Sequence, residues 1–148
     1  MYLEYKRREG EEMRLWHYRL IPVLPKEMLV SQWRECIAIK RQWEKGTLKH
    51  RLVSYVKDYH KDYFLDYVIL IIDELEKRNI KYQKKYHNEI CQFVGWNDNG
   101  ILFELYYKEH NDRYLKQCYY NLQEKADRGI ITKEEWKKIE DLFKSEVE

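Results

Sequence analysis

Apolar positions recur at helical spacing along most of this chain. From Lys26 to about Trp43, Leu29, Trp33, Cys36 and Ile37, with Lys40 next in register, fall at i, i+4, i+7, i+8 and i+11. That spacing predicts an amphipathic helix. Pro25 suits its first turn, where a missing N–H costs nothing, and Gly46 marks its end. From Tyr63 to Arg78 a wide stripe of Phe64, Leu65, Val68, Ile71, Ile72 and Leu75, broadened by Ile69 and Leu70, predicts the central core helix. Asp62 is placed to cap its start, and Lys77 and Arg78 complement the dipole at its end. Residues 90–107 read differently. Two β-prone runs flank Asn97-Asp98-Asn99-Gly100, which predicts a short β-hairpin or an irregular extended loop. Helical spacing returns from Asn111 to Lys125 through Tyr114, Leu115, Cys118, Tyr119 and Leu122, and Gly129 closes that run. Thr132-Lys133-Glu134-Glu135 forms a capping box before a last helix with Trp136, Ile139, Leu142 and Phe143 inward. The pattern predicts a mostly α, single compact domain with about four main helices, entered by a short apolar-basic lead from Met13 to Leu24.

Composition agrees. The 148 residues suit one domain and one core without staples. Only 5 Gly and 2 Pro stand against 14 Tyr and 5 Trp, which disfavours sandwiches and collagen-like repeats. No apolar run is long enough to cross a membrane, and residues 1–12 lack the apolar centre of a signal peptide. Cys36, Cys91 and Cys118 are odd in number and widely spaced, which fits free thiols in a reducing cytoplasm.

Charge changes the picture more. The formal net charge is +2, but residues 13–62 hold 11 basic and 5 acidic side chains, while the rest of the chain carries a slight acidic excess. A localised basic surface is what a nucleic-acid partner requires, although a solvated face has the same composition. Motifs for phosphate loops, dinucleotides, hydrolase elbows and zinc proteases are absent. His87-Asn88-Glu89 has the H-x-E form of zinc deaminases, but no P-C-x-x-C follows it. No metal or cofactor is expected. Arg34 and Glu35 sit mid-helix, with Glu35 at the edge of the apolar stripe. From periodicity alone, Glu35 reads as half of a boundary ion pair with Arg34 or Lys40.

Several short motifs together carry more. Met13-Arg14-Leu15-Trp16-His17 is followed by Leu24-Pro25 with Leu29 four residues on, then Arg34-Glu35, His50-Arg51-Leu52-Val53-Ser54-Tyr55-Val56, Glu74-Leu75-Glu76-Lys77-Arg78 and Glu109-His110-Asn111-Asp112-Arg113-Tyr114-Leu115. In order and spacing these resemble the pyrimidine-dimer DNA glycosylase family, particularly its bacterial members, across most of residues 13–126. The resemblance implies one compact helical domain and a glycosylase with abasic-site lyase activity on damaged double-stranded DNA. In that family the α-amine of the mature first residue attacks the sugar and forms a Schiff base, and a glutamate on the next helix assists strand cleavage. An α-amine titrates near 7.7–8.0, so a useful fraction is neutral at about pH 7. Carried over, Met13 falls at the amine-bearing position, Arg34 matches the helix arginine and Glu35 the catalytic glutamate. Arg14, His17, Arg19, Lys40, Arg41, Lys49 and Arg51 become the candidate DNA contacts, and Trp16 or Trp33 could line a pocket, Trp33 fitting the core better.

Three departures qualify this. Met13 stands where the family's phage enzyme exposes a threonine. A second arginine, expected three residues beyond the glutamate, is Ala38, leaving Lys40 or Arg41 as substitutes. Twelve residues precede Met13 and turn its nitrogen into an amide. Arg7 to Glu12 can be encoded almost wholly by purines, as a ribosome-binding site would be, so the expected natural start is Met13 and residues 1–12 an extension. Two rival readings stay open: a non-catalytic DNA-binding module of the same fold, and a helical protein-interaction domain.

Overall fold

The computed structural model describes residues 13–95 and 105–147. The extension 1–12 and the centre of the 90–107 segment lie outside the described residues. A stretch in neither helix nor strand, 13–17, leads into a 3-10 helix, Tyr18–Val23. Five α-helices follow: α1 (Lys26–Lys45), α2 (Lys61–Lys77), α3 (Lys84–Val94), α4 (Asp112–Asp127) and α5 (Lys133–Val147). A second 3-10 helix, Ser54–Asp58, joins α1 to α2. The described residues contain no strand, and no helix among them is long and apolar enough to cross a membrane.

α2 is the centre. It buries Phe64, Leu65, Tyr67, Val68, Ile71, Ile72 and Leu75, more apolar side chains than any other described helix. At roughly 1.5–3 kcal/mol per large side chain, this stripe is what assembles the fold. α1, α3 and both 3-10 helices pack around it. α4 and α5 form a second layer, with Tyr119 stacked 3.8 Å from Phe143 and α5 resting on the first 3-10 helix.

Helix ends follow local chemistry. Gly46 is left-handed (φ 76°), and the N–H of Thr47 reaches back to the Gln42 carbonyl at 2.8 Å. Asn79 (φ 58°) does the same for α2, where Ile80 N–H donates to Leu75 at 2.9 Å. Both are Schellman closures, which need a residue tolerant of positive φ. The cap of α2 is His60, whose Nδ1 accepts from the Asp62 N–H, so Asp62 sits in the first turn instead. The capping box of α5 forms reciprocally at 3.1 Å in each direction, and Glu135 also accepts from the Lys26 N–H at 3.3 Å, bolting α5 to the start of α1. Arg78 does more than face a dipole. Its guanidinium donates to Glu74 (2.7 Å) and to the carbonyls of Leu24 (2.7 Å), Pro22 (3.0 Å) and Ile21 (3.5 Å).

One expectation is corrected. Ile90 to Val94, read above as a β-prone run, is the last half of α3. Ile90 and Val94, four apart, are both buried, and Cys91 and Phe93 pack beside them. Packing against α1 and α2 overrides the β-propensity of Ile, Phe and Val.

Candidate active site

Residues 13–17 belong to no helix or strand and are largely buried, with Met13, Leu15 and His17 at 2%, 0% and 0% exposure. Buried backbone must be hydrogen-bonded, and no strand adjoins it among the described residues, so side chains supply the partners. Gln32 of α1 donates from Nε2 to the Arg14 carbonyl (2.9 Å) and accepts at Oε1 from the Trp16 N–H (2.8 Å). The Tyr67 hydroxyl of α2 donates to the Trp16 carbonyl at 2.6 Å and lies 3.2 Å from Gln32 Oε1. The Tyr114 hydroxyl of α4 donates to the Leu15 carbonyl at 2.6 Å. Three helices thus grip three consecutive residues.

A histidine pair continues the grip. His17 Nδ1 accepts from the Arg19 N–H (3.2 Å), and His110 Nδ1 accepts from the Tyr18 N–H (3.2 Å). A backbone amide only donates, so both rings carry their proton on Nε2. From there His17 donates to the His110 carbonyl (2.9 Å) and His110 to the Tyr55 hydroxyl (2.8 Å). Burial holds both rings neutral. His17 is pushed down to about 4, against the opposing pull of the bond to the His110 carbonyl. His110 is pushed down to about 3, first by burial and then by the nearby His17.

Glu35 is one turn beyond Gln32 on the same side of α1 and is 6% exposed. Arg14, whose carbonyl Gln32 holds, follows directly on Met13, so the chain next to Met13 is tied to α1 one turn before Glu35. Arg34, next to Glu35, is half-buried. Ala38, one turn further on, leaves that shoulder small. A carboxylate in this setting can accept a proton and stabilise positive charge developing on a sugar.

The candidate DNA contacts divide. Arg14 is half-buried, with its guanidinium 5.2 Å from the Trp16 ring centre. Lys49 and Arg51 are exposed just past α1. Arg19 is partly exposed but paired with Asp112 (3.4 Å) and Glu146 (3.6 Å). His17 has no exposed surface, so its observed work is within the fold. Lys40 is also buried, held by Glu44 (3.1 Å) and Glu89 (3.2 Å), and Arg41 shares Glu89 at 3.3 Å. At about 100° per residue, Lys40 and Arg41 point roughly 140° and 120° away from Glu35. Both are turned to Glu89 of α3 instead, although Arg41, three residues beyond Ala38, shares its side of the helix. Trp16 and Trp33 are both core residues, 7% and 1% exposed.

Gln32 and Tyr67 receive no role from the sequence, where His110 and Tyr114 enter only through a family motif and an apolar helix face. The one available signal was a polar Gln32 on an otherwise apolar face between Leu29, Trp33 and Cys36. Its partner, 16 residues away, is not visible in any local pattern.

Neither curated proteins nor solved structures yield a match to this chain. The profile of the pyrimidine dimer DNA glycosylase family matches residues 13–88, slightly more than half of it. The matched region begins at Met13 and contains Gln32, Arg34, Glu35 and Tyr67. With more than half of its length matched, the chain belongs to the pyrimidine dimer DNA glycosylase family.

Proposed function

We propose that this chain is a DNA-repair glycosylase and abasic-site lyase that acts on damaged duplex DNA through the α-amine of residue 13. The observation that carries the reading is the buried Glu35 on α1, with the segment leading from Met13 clamped one turn away. In the proposed reaction the neutral amine attacks C1′ of an extruded nucleotide. The C1′–base bond breaks and the base leaves with a proton. The sugar ring then opens, C1′–O4′ breaking as O4′ takes a proton from water, and the resulting protonated imine acidifies the C2′ hydrogen, whose loss as a proton expels the 3′ phosphate by β-elimination. Glu35 stabilises the cationic sugar and accepts the proton. Extrusion is needed because C1′ is occluded in a stacked duplex. Arg14, Lys49 and Arg51 are the exposed or half-exposed cations offered to phosphates. The free Cys36, Cys91 and Cys118 support a reducing, cytoplasmic setting.

The chemistry requires residue 13 to have a free amine, because a peptide nitrogen is delocalised and unreactive. We therefore place the natural start at Met13. The test uses the folded full chain carrying a protease site between Glu12 and Met13, before and after cleavage, on abasic and dimer-containing duplex DNA with borohydride. The expected result is a trapped adduct after cleavage only, mapped to Met13. Equal trapping by both forms, with the cross-link on a lysine, overturns the amino-terminal nucleophile. Salt-sensitive duplex binding without trapping by either form selects the non-catalytic module. Neither binding nor trapping selects the protein-interaction domain.

A further inference from the structure

We infer that Gln32 is a positioning residue: its carboxamide acts as a one-residue strand that fixes the register of residues 13–16 on α1 and so sets where residue 13 stands relative to Glu35. The catalytic part of this inference rests on the amine chemistry proposed above; the register part does not.

In extended chain, the C=O of one residue and the N–H of the residue two further on point to the same edge. Those are the two groups Gln32 takes, the Arg14 carbonyl at 2.9 Å and the Trp16 N–H at 2.8 Å. A carboxamide matches them as a neighbouring peptide would. The Trp16 carbonyl on this edge goes to Tyr67, beside Gln32, whereas the Leu15 carbonyl on the opposite edge goes to Tyr114. Each edge therefore has its own partner, and a slip by one residue mismatches both. Such a slip would move residue 13 by about 3.3 Å and turn Arg14 toward the core. Attack on a sugar carbon needs reacting atoms within about 3–3.5 Å, so that displacement abolishes attack geometry.

Burial makes the assignment specific. Gln32 is 2% exposed on a face otherwise built from Leu29, Trp33, Cys36 and Ile39. A leucine would fill this site, and a buried amide is costly unless paired. Its polar atoms all serve the segment. It donates no hydrogen bond to substrate in this scheme, so it acts through the chain it holds.

The test compares wild type, Gln32→Leu and Gln32→Glu. On the full chain, hydrogen exchange is measured at the Trp16 amide, with the amides of Val68 to Ile72 in α2 as internal reference. Gln32→Leu is expected to speed Trp16 exchange at least about tenfold while the α2 amides hold. On the cleaved chain, trapping at saturating abasic duplex is expected to fall by roughly 10²-fold in Gln32→Leu, with duplex affinity within about threefold of wild type. Gln32→Glu keeps the acceptor for Trp16 and, when protonated, a donor for Arg14, and is expected to retain more trapping than Gln32→Leu. Unchanged Trp16 protection in Gln32→Leu overturns the inference, as does loss of α2 protection and DNA affinity in parallel with trapping. Failure of wild type itself to trap overturns the amine chemistry alone, and Trp16 exchange still decides the clamp.

Discussion

Acidification is expected to strip stability from this fold well above the pH at which carboxylates titrate. In the folded chain His17 and His110 are neutral, with values near 4 and near 3, while an unfolded histidine titrates near 6.5. Protonating either ring converts an Nδ1 acceptor into a donor that faces the N–H of Arg19 or Tyr18. Arg19 and Asp112 act on His17 in opposite senses, and the Tyr55 hydroxyl at His110 Nε2 adds no charge to balance a second proton. The folded values lie below the unfolded value, so the contribution is fully present above about pH 6.5 and is lost as pH falls toward 4. In that window the unfolded chain binds protons that the folded chain refuses. Each histidine then costs about 1.4 kcal/mol per pH unit. Between pH 7 and pH 5 the effective span is about 1.5 units, so the two together remove about 4 kcal/mol. That is a large share of a typical stability of about 5–15 kcal/mol. Urea unfolding at pH 7, 6 and 5 measures the loss, and the ring proton resonances report the two sites directly. Either ring titrating near pH 6.5 in the folded chain, or a stability flat between pH 7 and 5, would refute the reasoning.

Glu35→Gln keeps size and burial but removes the base, so cleavage by the chain freed at Met13 is expected to drop about 10²–10⁴-fold with folding and duplex affinity kept; an unchanged rate excludes Glu35 from the chemistry. Arg78→Met is expected to destabilise the chain by roughly 3–5 kcal/mol in urea unfolding, because it strands the carbonyls of Leu24 and Pro22 and leaves Glu74 unpaired. A loss below about 0.5 kcal/mol would show that water replaces those bonds.

Periodicity located α1, α2, α4 and α5 because each has a long stripe of apolar residues against charged ones, and local chemistry marked the closures at Gly46 and Gly129 and the capping box at Thr132. The second half of α3 reads from sequence as part of a β-hairpin or an extended loop because its short apolar set, Ile90, Phe93 and Val94, is as compatible with one period as the other, and only its neighbours α1 and α2 decide between them. Arg34 and Glu35 become visible through family resemblance, since spacing alone makes Glu35 half of a boundary ion pair with Arg34 or Lys40. Lys40 and Arg41 were assigned by charge to a DNA face, yet Glu44 and Glu89, the latter on a helix that was not anticipated, already hold them. The clamp on residues 14–16 was illegible for a different reason. Tyr67 and Tyr114 are ordinary residues for an apolar helix face, Gln32 is a lone amide among apolar neighbours, and the role of all three lies in carbonyls and amides far away along the chain.

That last separation has a temporal side. The Leu15 carbonyl finds its hydroxyl 99 residues later, at Tyr114, and His17 finds the His110 carbonyl after 93. At a synthesis rate of about 5–20 residues per second, on the order of 5–20 s pass between the emergence of the segment and that of its last partner. Leu15, Trp16 and Leu20, all buried in the finished fold, spend that interval without the cover of α4, although the partners of Trp16 on α1 and α2 emerge earlier. The hold on residues 14–17 is therefore complete only when α4 has left the ribosome, long after the segment itself has emerged.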